Sequence, residues 1–310
     1  MENKWERFAE LNKVSTGEVA DIMKGIDNDI RITDCKLVTK GLRNTNYVIN
    51  TSIEKFFLRI CTDEKMSKNE EIAFRILKEK IIMPKLILAF SHIVKNEKKR
   101  IMIYEYIESV TLDEYLEKNG KFSEKILRNI AFILSELHNI RDLNLKELSI
   151  LPNLKECFKM LMENPVVIKR MGIDLMSKVN LIIEKYKEEI NKKTDDFLIH
   201  CDFKSSNLLI TQDEKIYITD WEYLGYGNRY FDIGLFFRYK NFFTKKDTEI
   251  FYKRYNENAE IQLDENWIEI GTLCNIVSLV EMLSREEEAP KKNNDIKGLI
   301  EKEIDFLVGK

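Results

Sequence analysis

The stretch Ile199–Phe231, IHCDFKSSNLLITQDEKIYITDWEYLGYGNRYF, decides how this chain is read. It sets Asp202 two residues after His200 and five before Asn207. A short apolar strand, IYIT, then delivers a second aspartate, Asp220. Moving a phosphoryl group calls for these parts in this order: a carboxylate to orient a hydroxyl, then an amide oxygen and a carboxylate to hold Mg²⁺. The transition state needs in-line positioning and neutralised phosphate charge more than covalent help. Asp202 is therefore the expected base, Asn207 and Asp220 the expected magnesium ligands, and ATP and Mg²⁺ the expected cofactors. His200 is expected to brace the loop rather than exchange protons. Turn formation alone also uses Asp and Asn, but it does not explain loop, strand and second aspartate in sequence.

Outward from that stretch, 310 residues suffice for two lobes, each with its own core. Fifty basic residues nearly cancel 53 acidic ones, which argues against a nucleic-acid partner. The runs Lys95–Arg100 and Lys291–Lys292 read as solvated loop or helix surface. No apolar run approaches the roughly 20 residues of a membrane span. The opening MENKWERFAELNK has mixed charge and no apolar centre, so it is not read as a secretory signal, and a cytoplasmic location is the default. Cys35, Cys61, Cys157, Cys201 and Cys274 are scattered, which suits reduced thiols. Cys201 lies in the proposed catalytic loop, where a small filler is the preferred reading over a nucleophile.

Patterning predicts an α+β chain. A helix over about 15–24 starts at a Ser15/Glu18 capping box. Strands follow at Ile32–Thr39, Thr45–Thr51 and Lys55–Ile60, then a helix over Ser67–Lys80 and strands at Lys85–Phe90 and Arg100–Tyr106. This is a small antiparallel sheet carrying a helix, assigned to residues 1–106. Residues 107–310 read as a larger, mainly helical lobe. Its helices begin at a Thr111/Glu114 capping box and continue over 123–140, 153–163, 173–191, 230–239, 244–257, 264–285 and 293–307. The β pair Leu208–Thr211 and Lys215–Thr219 interrupts them.

The chain resembles the aminoglycoside phosphotransferase and choline kinase group, which shares the two-lobed protein-kinase-like fold. HCDFKSSNLL is similar to that group's catalytic loop, and ITDWEYLGYGNRYFDIG resembles the segment after it in choline and ethanolamine kinases. GLRNTNYVI resembles their phosphate-covering loop, and MIYEYIES their inter-lobe connection. The resemblance implies that Gly41, Thr45 and Asn46 bring donors to the ATP phosphates and that Arg59 grips phosphate oxygens. Glu70, with Glu71 a rival, is the implied partner of Arg59. Backbone groups of Glu105, Tyr106 and Ile107 are expected to meet adenine. Asp232 is expected to brace the catalytic loop, with capping of the following helix as the alternative. His92 and His138 carry no expected role.

For the acceptor, the resemblance implies a small cationic alcohol, with Glu222 and Tyr223 supplying charge and a ring face, and Tyr226 and Tyr230 adding to the wall. The chain departs from the group in its C-terminal region, where NIVSLVEML puts Val277 and Val280 in place of a W-x-x-W-type pattern. Valine offers a cation no aromatic quadrupole; Glu281 is the candidate to compensate by charge. The expected activity is a choline- or ethanolamine-type kinase. An aminoglycoside kinase and a nucleotide-binding pseudokinase are the alternatives, and a homodimer is compatible with all three.

Overall fold

Alternating burial along consecutive strands organises the N-terminal part of the chain. The computed structural model describes residues 5–7, 9–141, 146–192, 196–285 and 289–309. The chain forms two compact units, Met1–Val110 with Leu209–Glu222, and Thr111–Leu208 with Tyr223–Lys310.

In the first unit, β1 (Ile32–Val38), β2 (Thr45–Thr51), β3 (Lys55–Ile60), β4 (Leu86–Val94) and β5 (Glu97–Glu105) form one antiparallel sheet in the order β1-β2-β3-β5-β4. Tyr47 and Ile49 of β2 and Phe56, Leu58 and Ile60 of β3 are buried in one cluster with Val19, Ile22 and Met23 of α1 (Thr16–Met23). Side chains alternate along a strand, so Asn46, Phe57 and Arg59 emerge on the opposite face. In register, Asn46 lies across from Arg59, and Phe57 across from Tyr104. That face meets Glu70 of α2 (Glu64–Leu77). Helix α2 starts three residues earlier than expected, because the Asp63 carboxylate caps it by accepting from the N–H groups of Lys65 and Met66.

The run Lys95–Arg100 corrects its expectation. It is neither loop nor helix surface throughout, because Glu97–Arg100 open β5 and pair with β4. Lys95 and Asn96 form the turn, with φ of 50° and 66°. Two positive-φ residues match the twist of a two-residue hairpin. Lysine and glutamate are weak strand formers, so the sequence hid a strand that cross-strand pairing stabilises.

The second unit contains α3 (Leu112–Asn119), α4 (Glu124–His138), α5 (Leu154–Met162), α6 (Pro165–Lys185), α7 (Lys187–Asn191), α8 (Tyr230–Phe236), α9 (Lys245–Asn258), α10 (Trp267–Ser284) and α11 (Pro290–Val308). The expected helix over 173–191 is instead α6 and α7. Asn164 caps α6 with Pro165 in its first turn, and the helix passes a kink at Gly172, where φ is 75°. Helix α8 crosses α10 so closely that a Cβ on Gly234 would strike the carbonyl oxygen of Gly271. Among the described residues, α10 alone would suit a membrane span by length and composition, yet 67% of it is buried within the protein. Strand Phe197–Ile199 pairs antiparallel with Gly225–Gly227, which pairs parallel with Ser149–Ile150. This small sheet ends where the loop of residues 200–207 begins.

Candidate active site

Residues 200–207 leave the strand Phe197–Ile199 as a tight loop. The Asp202 N–H donates to His200 Nδ1 at 3.2 Å, and the buried His200 ring packs edge-on against Phe203. Asn207 sits on a single 3₁₀ turn, Ser205–Asn207, and its Nδ2 donates to both the carbonyl oxygen (2.9 Å) and Oδ2 (2.8 Å) of Asp202. Lys204 Nζ lies 3.1 Å from the same Oδ2. Asp202 Oδ1 has no hydrogen-bond donor among the described residues. The loop therefore anchors one carboxylate oxygen and leaves the other without a donor among the described residues. Fixing the Asn207 amide through its NH₂ also sets the direction of its carbonyl oxygen.

Two buried carboxylates hold this loop from below. Asp232, with no exposed surface, accepts from the N–H of His200 through Oδ2 and from the N–H of Cys201 through Oδ1, both at 2.8 Å. Its side chain is directed to the loop, and α8 has no side-chain cap. His138 Nε2 lies 3.2 Å from Asp232 Oδ2, and His138 Nδ1 pairs with the Tyr255 hydroxyl at 2.7 Å. Burial pulls the His138 imidazole below its ordinary pKa, against the pull of Asp232. Asp113 of α3 accepts from the Ser205 hydroxyl. Cys201 takes a left-handed φ of 65°, a conformation disfavoured for a residue with a Cβ. The Asp232 carboxylate stabilises it. Burial, then Asp232 and Asp202, push the Cys201 thiol well above its ordinary pKa, which fits a filler.

In the first unit, Arg59, Glu70, Asp220 and Glu222 form one charged cluster. Arg59 Nη1 contacts Glu70 Oε1 and lies 2.9 Å from Asp220 Oδ1. Glu71, the rival partner, is taken by Arg100 at 2.7 Å. Tyr104 donates its hydroxyl to Glu70 Oε2. Burial works against the Arg59 charge, but Glu70 and Asp220 hold its pKa well above the ordinary value. Burial pushes the Glu70 carboxyl up, and Arg59 opposes that rise. Asp220, like Cys201, has a left-handed φ, 68°, at the end of the hairpin strand Ile216–Ile218. Glu222 is largely buried. Arg43 lies 3.5 Å from its carboxylate, and its backbone carbonyl accepts from Asn69 Nδ2 at 2.9 Å. Burial first, then Asp220, raise the Glu222 carboxyl to about 8.

The remaining expected positions divide by strand face. Thr45 is fully buried, and its hydroxyl oxygen accepts from the Asn12 N–H at 2.8 Å. Asn46 lies on the Arg59 face, and its buried Oδ1 has no partner among the described residues. Gly41 takes φ of 96° in the loop between β1 and β2. Glu105 closes β5, its N–H donating to the Lys85 carbonyl at 3.0 Å and its carboxylate accepting the Lys85 N–H at 2.9 Å. Tyr106 has Lys55 Nζ 5.3 Å from its ring, and the Ile107 carbonyl accepts from Ser109 at 3.0 Å. Glu222 and Tyr223, adjacent in sequence, belong to different units. Tyr230 is buried, its hydroxyl donating to Asp264 Oδ2 at 2.8 Å, so it is not an accessible wall. Val277 and Val280 are also buried, and Arg285 pairs with Glu281 through Nη2 at 3.1 Å.

Sequence reasoning missed Lys204, Tyr104, Asp113 and the role of His138. Tyr104 was recoverable from the β3–β5 register. His138 carried the signal of a polar residue on the buried stripe of α4, where burial demands a partner. No group of three or more His, Cys, Asp or Glu side chains suited to a metal occurs among the described residues. Magnesium needs no such cage. It takes one or two protein oxygens and completes its shell with phosphate and water, so the oxygen donors of Asn207 and Asp220 fit it chemically.

Comparison with known proteins shows the family and the fold. A family described as choline/ethanolamine kinase matches residues 21–301. A protein LicA homolog of Mycoplasma capricolum subsp. capricolum is 27% identical over 198 residues, covering 63% of this chain and 69% of the relative. Choline kinase LicA from Streptococcus pneumoniae superposes with a TM-score of 0.67 at 17% identity, over 94% of this chain and 99% of that one. A GDP complex of an aminoglycoside 2'-phosphotransferase superposes with a TM-score of 0.73 at 16% identity, over 95% and 99% of the two chains. These structural likenesses establish the fold as α+β and protein-kinase-like.

Proposed function

Because the chain belongs to the choline/ethanolamine kinase family, we propose that it transfers the γ-phosphoryl group of ATP to the hydroxyl of an amino alcohol of the choline or ethanolamine type. The observation that carries this reading is the Asp202 carboxylate, with Oδ2 held by Asn207 and Lys204 and Oδ1 without a donor among the described residues. Asp202 takes the acceptor's hydroxyl proton as that oxygen bonds to the γ-phosphorus and the bond to the bridging oxygen of ADP breaks. Asn207 and Asp220 would hold Mg²⁺, which supplies neutralisation of phosphate charge when bound. Arg59, kept charged by Glu70 and Asp220, grips phosphate oxygens. Gly41, Thr45 and Asn46 cover the phosphates, and the backbone of Glu105–Ile107 meets the base. With Val277 and Val280 buried and Glu281 paired to Arg285, recognition of the cation is assigned to Glu222 and Tyr223. Because burial raises the Glu222 carboxyl to about 8, its charge is fully available only above that pH, and the Tyr223 ring carries the contact below it. A cytoplasmic location is part of the proposal.

The test is ADP release, measured by a coupled assay with choline, ethanolamine, aminoglycosides, thiamine, homoserine and methylthioribose. The expected result is turnover dependent on an amino alcohol, falling by about 10²-fold or more in Asp202→Ala. Ordinary turnover in that variant would remove the mechanism. Turnover with drugs alone would reassign the acceptor to aminoglycosides. Magnesium-dependent ATP binding without turnover would mark a nucleotide-binding protein that is not an enzyme.

A further inference from the structure

Arg7 lies ahead of the segment that matches the family, and no expectation from the sequence touched it. Its guanidinium is spent on backbone carbonyls. Nη1 donates to Gly41 (2.7 Å), Nη2 to Arg43 (2.6 Å) and Asn44 (2.7 Å), and Nε to Ala9 (2.6 Å). Neighbouring residues lie along the same loop and strand: the Asn12 N–H donates to Thr45 Oγ1 at 2.8 Å and the Val14 N–H to the Tyr47 hydroxyl at 2.9 Å.

Peptide planarity gives this grip a consequence. In a trans peptide the carbonyl of one residue and the N–H of the next point in opposite directions. Drawing the carbonyls of Gly41 and Arg43 onto one guanidinium turns the N–H groups of Leu42 and Asn44 away from it. Neither N–H has a protein acceptor among the described residues. Gly41, at φ of 96°, supplies the turn that this arrangement needs. Outward amides clustered in a turn make a concavity for anions.

We propose that Arg7 is a positioning residue, which fixes the β1–β2 loop by its carbonyls so that its amides face the nucleotide phosphates. The proposal rests on the reading of residues 41–49 as the phosphate-covering loop. Arginine suits the task because its planar fork carries five donors in fixed directions, whereas a lysine ammonium carries three on a mobile stem.

The test is calorimetric titration of the full-length chain with MgADP, for wild type, Arg7→Lys and Arg7→Ala, alongside apoprotein melting. Both variants should bind MgADP about tenfold more weakly, as expected for losing one charge-assisted hydrogen bond. Arg7→Lys keeps the charge and serves if Arg7→Ala does not fold. Wild-type affinity in Arg7→Lys would overturn the proposal by showing that charge alone matters. A lowered melting midpoint with unchanged affinity in either variant would overturn it by showing a merely structural role. Absence of MgADP binding by the wild type would instead overturn the nucleotide reading beneath it.

Discussion

Replacing Asp232 by asparagine changes one oxygen to an NH₂ group at the point from which the loop of residues 200–207 hangs. The carboxylate accepts the N–H of Cys201 on one oxygen and the N–H of His200 on the other, each at 2.8 Å, with no exposed surface. Asparagine can satisfy only one of them. One charge-assisted hydrogen bond, about 1.5–3 kcal/mol, is lost, and one buried N–H is left facing another donor, about 1–3 kcal/mol more. The expected destabilisation is therefore about 3–5 kcal/mol, a large share of the roughly 5–15 kcal/mol that a folded domain commands. The left-handed φ of 65° at Cys201 loses its support at the same time. Urea unfolding reports the total, and hydrogen exchange at the amides of His200 and Cys201 reports the local opening. Unfolding within about 1 kcal/mol of wild type, with both amides still protected, would refute the view that Asp232 holds the loop.

Three further outcomes follow from the geometry. Gly234→Ala should cost about 3 kcal/mol or more, read by chemical denaturation, because the new methyl meets the Gly271 backbone rather than a side chain that can move. Glu70→Gln should destabilise by about 2–3 kcal/mol, less than a fully broken buried pair because Asp220 still faces Arg59, and it should raise the KM for ATP. His138 gives a signed pH dependence. The unfolded imidazole takes a proton near 6.5 while burial keeps the folded one neutral to lower pH, so its contribution is full above 6.5 and lost as pH falls below it. The slope is at most about 1.4 kcal/mol per pH unit. Melts at descending pH should show this slope in wild type and a shallower one in His138→Asn.

The loop of residues 200–207 was legible because its polar side chains are contiguous, and the strands of the sheet because burial alternates along them. What escaped was carried by distance or by backbone. Arg7 meets carbonyls more than thirty residues away, and a carbonyl has no residue type for a pattern to detect. Asp113 and Ser205 look like a helix-start residue and a loop residue until tertiary structure pairs them. The hairpin strand Glu97–Arg100 was masked by its charges, and α6 by Gly172, where a kink resembles a beginning. The choice between Glu70 and Glu71 needed helix phase: neighbours on a helix point about 100° apart, and each found a different arginine.

Leu209–Glu222 belongs to the first unit although almost a hundred residues separate it from Val110. That module is consequently not a contiguous gene segment. A fragment ending at Val110 would keep the Arg59–Glu70 pair but lose Asp220, and the carbonyl of Ile82 would lose the Ile218 N–H that it accepts at 3.0 Å. Anyone excising or transplanting the module must graft the second piece on through a tether, or supply it as a separate peptide that completes the half-built domain.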